Sequence, residues 1–226
     1  MAADLETGPL VVRVFSGPVM GENAYLVWGG GQRKAVAIDP GEGAAEMLKA
    51  VEAEGLTLEA VLLTHAHFDH IEGVGEIVRQ TDAPVYLHPD ARPFYDHAPQ
   101  QAAMFGMWVE TPPPPSHTLA HGQQLELGGA RFQVREAPGH APGHVILYVE
   151  EAGVAFVGDV VFQGSIGRTD LPGGDFQLLM RSIREQVLTL PDETVLYPGH
   201  GPETTVGHER ATNPFLAPQY RGGFLV

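Results

Sequence analysis

T-H-A-H-F-D-H, residues 64–70, follows the apolar run L-E-A-V-L-L and puts His65, His67, Asp69 and His70 within six positions. An apolar core would have to desolvate all four groups, a large penalty with no structural return, so the cluster points to metal binding. In an extended segment, residues i and i+2 face the same way, which lets His65 and His67 converge on one ion. Asp69 and His70 then fall to the other side, where a second ion could sit.

One cluster does not complete two coordination shells, and further ligand-type residues recur downstream. A-P-G-H-A-P-G-H at 137–144 supplies His140 and His144, F-V-G-D at 156–159 supplies Asp159, and Y-P-G-H-G-P at 197–202 supplies His200. In three of these places a strand-like run ends in Gly before the ligand-type residue, and Gly lets the backbone turn sharply and approach an ion closely. His144, four residues after His140, reads either as a partner that orients a ligand or as a packing residue. His88, His97, His117, His121 and His208 stand alone in loop-like sequence, and a surface position is expected for each.

Around these motifs, alternating or apolar runs predict strands at 10–16, 24–28, 34–38, 58–64 and 85–87, then at 123–127, 131–136, 145–149, 154–157 and 194–197. Helical spacing predicts helices over 42–54, 71–80 and 175–188. Two β-rich halves, each with helices, suggest two packed sheets covered on the outside. Pro89–Gly122 is irregular, with four prolines at 112–115 and the patch M-F-G-M-W at 104–108. It reads either as a lid or pocket wall beside the site or as a stiff connection whose Met104, Phe105 and Trp108 cap the core.

The 226 residues fit one domain, 1–226, of ordinary size. Thirteen Lys and Arg against 28 Asp and Glu give a charge of -15, which argues against nucleic acid or anionic lipid as partner. With no cysteine, disulfides, thiolate zinc sites and a thiol nucleophile are excluded, so any metal is held by His, Asp or Glu. No apolar run approaches the roughly 20 residues of a spanning helix. The opening M-A-A-D-L-E-T-G-P-L has neither a basic nor an apolar leader segment, so the expected location is cytoplasmic.

H-x-H-x-D-H, then P-G-H, G-D and P-G-H in this order resembles the metallo-β-lactamase superfamily, and within it the short glyoxalase II-like hydrolases. The resemblance runs from about Asn23 to Phe215. It implies an α/β fold, an αββα sandwich of two mixed β-sheets flanked by helices, with a dinuclear centre at the sheet edges. His65, His67 and His140 match the first metal's ligands, Asp69, His70 and His200 the second's, and Asp159 the bridging carboxylate. The implied cofactors are two divalent ions, zinc first, with iron or manganese also suited to such ligands.

Two such ions would acidify a bridging water to hydroxide and polarise a substrate carbonyl, making a hydrolase without a protein nucleophile. Asp69 could relay a proton, and a thiolate leaving group, with a thiol pKa of about 8.5, needs no acid. The expected substrate is therefore a small thioester, S-acylglutathione-like or other, with Asp69 and Asp159 as the catalytic carboxylates. Arg168, in G-S-I-G-R-T-D-L at 164–171, stands where larger glyoxalase II enzymes place a basic residue that meets glutathione; pairing with Asp170 is the structural alternative. E-R-A-T-N-P-F at 209–215 also matches the short relatives, without an assigned contact.

Two departures weaken the case for glutathione. G-P-E-T follows His200 where typical glyoxalase II has a Tyr two residues on, and the chain ends at Val226 without the additional helical domain. The main alternative is a persulfide dioxygenase with one iron on His65, His140 and Asp159, although those enzymes typically carry Cys where His144 stands. A non-catalytic metal-held protein is opposed by seven ligands, since structural zinc sites are usually closed four-ligand shells. Superfamily nucleases are opposed by the acidic balance, and β-lactamases by Asp69, His70 and the lack of a leader.

Overall fold

The computed structural model describes residues 4–7 and 10–216 and builds them into two mixed β-sheets and a short hairpin. The first sheet runs in chain order through β1 (Asp4–Thr7), β2 (Leu10–Ser16), β3 (Asn23–Gly29), β4 (Lys34–Ile38), β5 (Thr57–Leu62), β6 (Val85–Leu87) and β7 (His117–Thr118). It is antiparallel as far as β4 and parallel from β4 to β7. Helices α1 (Ala44–Ala53), α2 (Phe68–Ile71), α3 (Val74–Thr81), α4 (Arg92–Asp96) and α5 (Ala98–Met104) fall in its connections.

The second sheet contains β8 (Gln124–Leu127), β9 (Ala130–Glu136), β10 (Val145–Val149), β11 (Val154–Gly158), β14 (Val195–Pro198) and β15 (Thr204–Thr205). Between β11 and β14 come the hairpin β12 (Val161–Phe162) and β13 (Ser165–Ile166) and then α6 (Phe176–Ser182), while α7 (Val206–Thr212) follows β15. β11 and β14 are parallel and the other pairs antiparallel.

Strand alternation sorts the side chains into the layers. On β3, Tyr25 and Val27 pack between the sheets with Leu62, Leu147 and Phe156, whereas Ala24, Leu26 and Trp28 face outward with Met47 of α1 and Ile77 of α3. On β10, Val145 and Leu147 point inward, while Ile146 and Tyr148 meet Leu179 of α6 and Val206 of α7. Three apolar layers between four structural ones make the expected αββα sandwich. Each large aliphatic or aromatic side chain buried this way contributes about 1.5–3 kcal/mol.

Several local expectations change. The helix expected at 71–80 is two helices, because the chain breaks at Gly73: its N–H donates to the Pro40 carbonyl at 2.9 Å, and a Cβ there would collide with Ala44 and Gly41. The helix expected at 175–188 is capped by the Asp175 carboxylate, which accepts from the Leu178 N–H, and after Ser182 it continues as a π turn over Ile183–Val187. Pro89–Gly122 carries α4, α5 and β7, and its Met104 and Trp108 do not cap the core, being 71% and 83% exposed. His88, expected at the surface, is buried because its Nε2 pairs with the Glu136 carboxylate at 2.9 Å. His97, His117, His121 and His208 are exposed, as expected. Phe215 and Leu216 pack against the outer face of the second sheet, and the closing G-F-L-V lies outside the described residues. No helix among the described residues is long and apolar enough to cross a membrane.

Candidate metal centre

Strand ends deliver the site. β5 stops at Leu62, the chain bends at Thr64, and His67 is extended (φ -69°, ψ 145°) just before the turn into α2. That turn begins at Phe68, earlier than the sequence suggests, so Asp69 and His70 sit on a helical turn and His70 folds back to within 4.1 Å of the His65 ring. His140 comes from the β9–β10 connection, Asp159 from the end of β11, and His200 from the end of β14.

Two groups form. The potential ligand atoms of His65, His67 and His140 lie within 4.8 Å of one another, as do those of Asp69, His70 and His200. Asp159 lies between them, its Oδ2 3.4 Å from His140 Nε2 and 3.7 Å from His200 Nε2, its Oδ1 3.4 Å from His70 Nε2. The structure thus brings all seven residues together. Gly199 is required at this point, because a Cβ would collide with the Asp159 carboxylate. His144 stands behind the groups: its ring stacks on His65 at 4.7 Å, and its Nε2 accepts the Asp159 backbone N–H at 3.1 Å.

The fit to cations follows from the atoms left over. His65 Nε2, His70 Nε2 and Asp159 Oδ1 are buried without a hydrogen-bond partner, whereas buried polar atoms are normally satisfied. Unsatisfied lone pairs in both groups, with the Asp159 carboxylate between them, are what bound divalent cations satisfy. Charge tells the same story. Burial first and His70 second hold His65 well below the ordinary imidazole range, and burial first and His140 second bring His67 down to about 4. Burial opposes charging His70, but Asp159 and Asp69 outweigh it and raise that group well above its usual value. For Asp159 burial is likewise overcome, here by His70, and its carboxyl lies far below the usual range.

Asp39, which sequence reading passed over, orients this set. Its Oδ1 accepts from the Thr64 N–H at 2.7 Å, and its Oδ2 accepts from the Thr64 hydroxyl at 2.5 Å and from His70 Nδ1 at 3.1 Å. Thr64 Oγ1 lies 3.0 Å from His65 Nδ1. With both Nδ1 atoms engaged on that side, the Nε2 atoms keep lone pairs facing the centre. His140 is set the same way, its Nδ1 donating to the Arg168 carbonyl at 2.8 Å. The only signal of Asp39 was an Asp at the end of the 34–38 strand, followed by Pro-Gly.

E-R-A-T-N-P-F now has contacts. Glu209 is fully buried and accepts from the Gly164 N–H at 2.9 Å, from the Thr204 hydroxyl at 2.6 Å and from Asn213 Nδ2 at 2.7 Å. Asn213 Nδ2 also donates to the Ser165 carbonyl, so α7 clamps the β12–β13 hairpin. Asn23 Nδ2 and the Tyr25 hydroxyl donate to the Pro198 carbonyl at 3.1 and 2.6 Å, tying the His200 loop to the first sheet. Arg168 pairs with Asp170 through Nε and Nη2, both at 2.7 Å.

Above the centre lies a cavity of about 370 Å³. His67, Asp69, His140, Asp159 and His200 line it together with apolar side chains from both sheets' connections, α5 among them. The 89–122 segment therefore supplies a pocket wall through Phe94, Gln101, Met104 and Phe105.

Residues 17–200 match the sequence profile of the metallo-beta-lactamase superfamily. The chain is 40% identical over 201 residues to the probable metallo-hydrolase YqgX of Bacillus subtilis (strain 168), spanning 88% of this chain and 94% of that protein. It is 37% identical over 197 residues to the hydroxyacylglutathione hydrolase GloC of Haemophilus influenzae, spanning 86% and 92%. Among solved structures, the BLEG-1 B3 metallo-beta-lactamase superposes with a TM-score of 0.86 at 40% identity over 91% of this chain and 99% of that one. TTHA1623 in a di-iron-bound form gives 0.83 at 47% identity over 90% and 98%. The profile covers most of the chain, and both sheets superpose on those of its neighbours: the chain belongs to the metallo-β-lactamase superfamily.

Proposed function

We propose that the protein is a metal-dependent thioester hydrolase of the glyoxalase II type, with a small-molecule thioester as its substrate. The observation that carries this reading is the pair of three-residue groups sharing Asp159 at the floor of the cavity. His65, His67, His140 and Asp159 would hold one divalent ion, and Asp69, His70, His200 and the same Asp159 the other. When bound, such a pair supplies an acidified water and a Lewis acid for the carbonyl. The chain provides the rest. Asp69 lines the cavity, with its Oδ2 3.4 Å from His200 Nε2, and is the carboxylate placed to take the proton of the attacking water. His144 fixes the backbone of Asp159, and Phe162 and Phe94 give the cavity apolar walls. A departing thiolate needs no proton donor of its own.

The relationship to GloC supports the same reading. A mononuclear-iron dioxygenase using His65, His140 and Asp159 would give Asp69, His70 and His200 no task. The test is thiol release from S-lactoylglutathione and from simple acyl thioesters by metal-replete protein. Asp159→Asn is expected to lower kcat/KM at least about 100-fold while leaving the circular dichroism spectrum unchanged. Oxygen uptake with glutathione persulfide, without thiol release from any thioester, would overturn the proposal.

A further inference from the structure

The walls of the cavity suit a different substrate from its floor. Met20, Phe94, Met104, Phe105, Phe162 and Ile166 enclose the space above the His and Asp groups. Among the described residues, Arg168 is the only Lys or Arg in the lining, and Asp170 already takes its guanidinium in a two-point ion pair. The Gln101 side-chain nitrogen is also committed, donating to the Ala66 and Phe94 carbonyls at 3.0 and 2.7 Å. A glutathione moiety brings two carboxylates and an ammonium group, each needing a charged or hydrogen-bonding partner when it leaves water. A chain of charge -15 adds repulsion against the carboxylates. An aliphatic or aromatic group, in contrast, gains from every contact with these walls.

The apolar surface continues outward. Phe105 packs on Phe68 with ring centroids 5.4 Å apart, and Met104 and Phe105 at the rim are 71% and 46% exposed. Met side chains adapt to varied apolar shapes, which suits a rim that closes over a chain.

We propose that the specificity of this site lies in the acyl group: it takes thioesters of medium-length aliphatic or aryl-substituted acids and makes little use of the thiol portion. The inference rests on the thioesterase reading. In the reaction the water oxygen bonds to the acyl carbon, the C–S bond breaks and the thiolate leaves with the bonding pair; one water proton passes by way of the site carboxylate to the departing sulfur and the other to solvent, yielding a carboxylate and a thiol.

The experiment compares acetyl, butyryl, hexanoyl and phenylacetyl thioesters of N-acetylcysteamine with S-lactoylglutathione, using metal-replete enzyme. kcat/KM is expected to rise about fourfold per methylene from acetyl to hexanoyl, with S-lactoylglutathione well below hexanoyl. Met104→Glu, a change on the exposed rim, should lower the hexanoyl-to-acetyl ratio. A flat acyl series, or S-lactoylglutathione at or above hexanoyl, overturns the inference. If no thioester is hydrolysed, the thioesterase reading has failed, and binding then tests the walls alone by calorimetry with S-hexyl and S-methyl N-acetylcysteamine. At least tenfold tighter binding of the hexyl compound supports an apolar acyl site, and equal binding overturns it.

Discussion

Asp39 shows how much of the site depends on a residue outside it. It adopts a left-handed backbone (φ 46°), which Asp tolerates better than most residues, and from there its two oxygens serve Thr64 and His70. Asparagine at this position would offer N–H groups where two donors already point. Asp39→Asn is therefore expected to weaken divalent-ion affinity about 10–100-fold in competition with a chelator, and unchanged affinity would contradict this role. Glu72 makes a separate prediction. Its Oε1 is buried without a partner, and burial, then Glu42, then Asp69 raise its pKa to about 7. The folded-state value exceeds the unfolded one, so this group's contribution is fully present below pH about 4.5 and declines as pH rises to about 7. Glu72→Gln should leave stability near pH 4 unchanged and raise it at pH 8 relative to wild type, as followed by urea unfolding at both pH values.

The β12–β13 hairpin forms the Phe162–Ile166 side of the cavity and is held from behind by α7. Glu209→Gln places an amide nitrogen where a carboxylate accepts three hydrogen bonds, and the expected loss is about 1–3 kcal/mol in urea unfolding. Faster exchange of the Gly164 amide should accompany it, and an unperturbed amide would contradict the clamp. None of this was legible in the sequence, where Glu209 and Asn213 form only a matched motif. Their partners on the hairpin, Gly164 and Ser165, lie 45 and 48 residues away, and a contact between distant segments leaves no periodic trace. Asp39, 25 residues from Thr64, escaped notice for the same reason. The strands at 10–16, 34–38, 85–87 and 145–149 were legible to the residue because their apolar runs end in turn residues. The seven clustered ligand-type residues stood out because each falls at a strand end or the first turn after it. Gly73 broke an otherwise good helical pattern through a contact with Pro40 that the local sequence does not announce.

Across the molecule, three apolar layers hold the sandwich independently of the centre, while the centre gathers carboxylates and unsatisfied imidazole nitrogens that favour a bound cation. Each ion that binds only the folded chain, at about 100 times its Kd, stabilises it by about 2.7 kcal/mol, so two contribute about 5 kcal/mol. Stripping both with a chelator is accordingly expected to lower Tm by about 10–20 °C with little change in far-ultraviolet circular dichroism. An unchanged Tm would mean that the two groups do not hold ions in the folded protein. Whether Asp159 joins two groups into one dinuclear hydrolytic centre is decided by elemental analysis of metal per chain in protein prepared from metal-replete medium. Close to two divalent ions per chain are expected, falling below two when Asp159 is replaced by Asn. A single iron per chain, unaffected by loss of Asp69 or His200, would contradict such a centre.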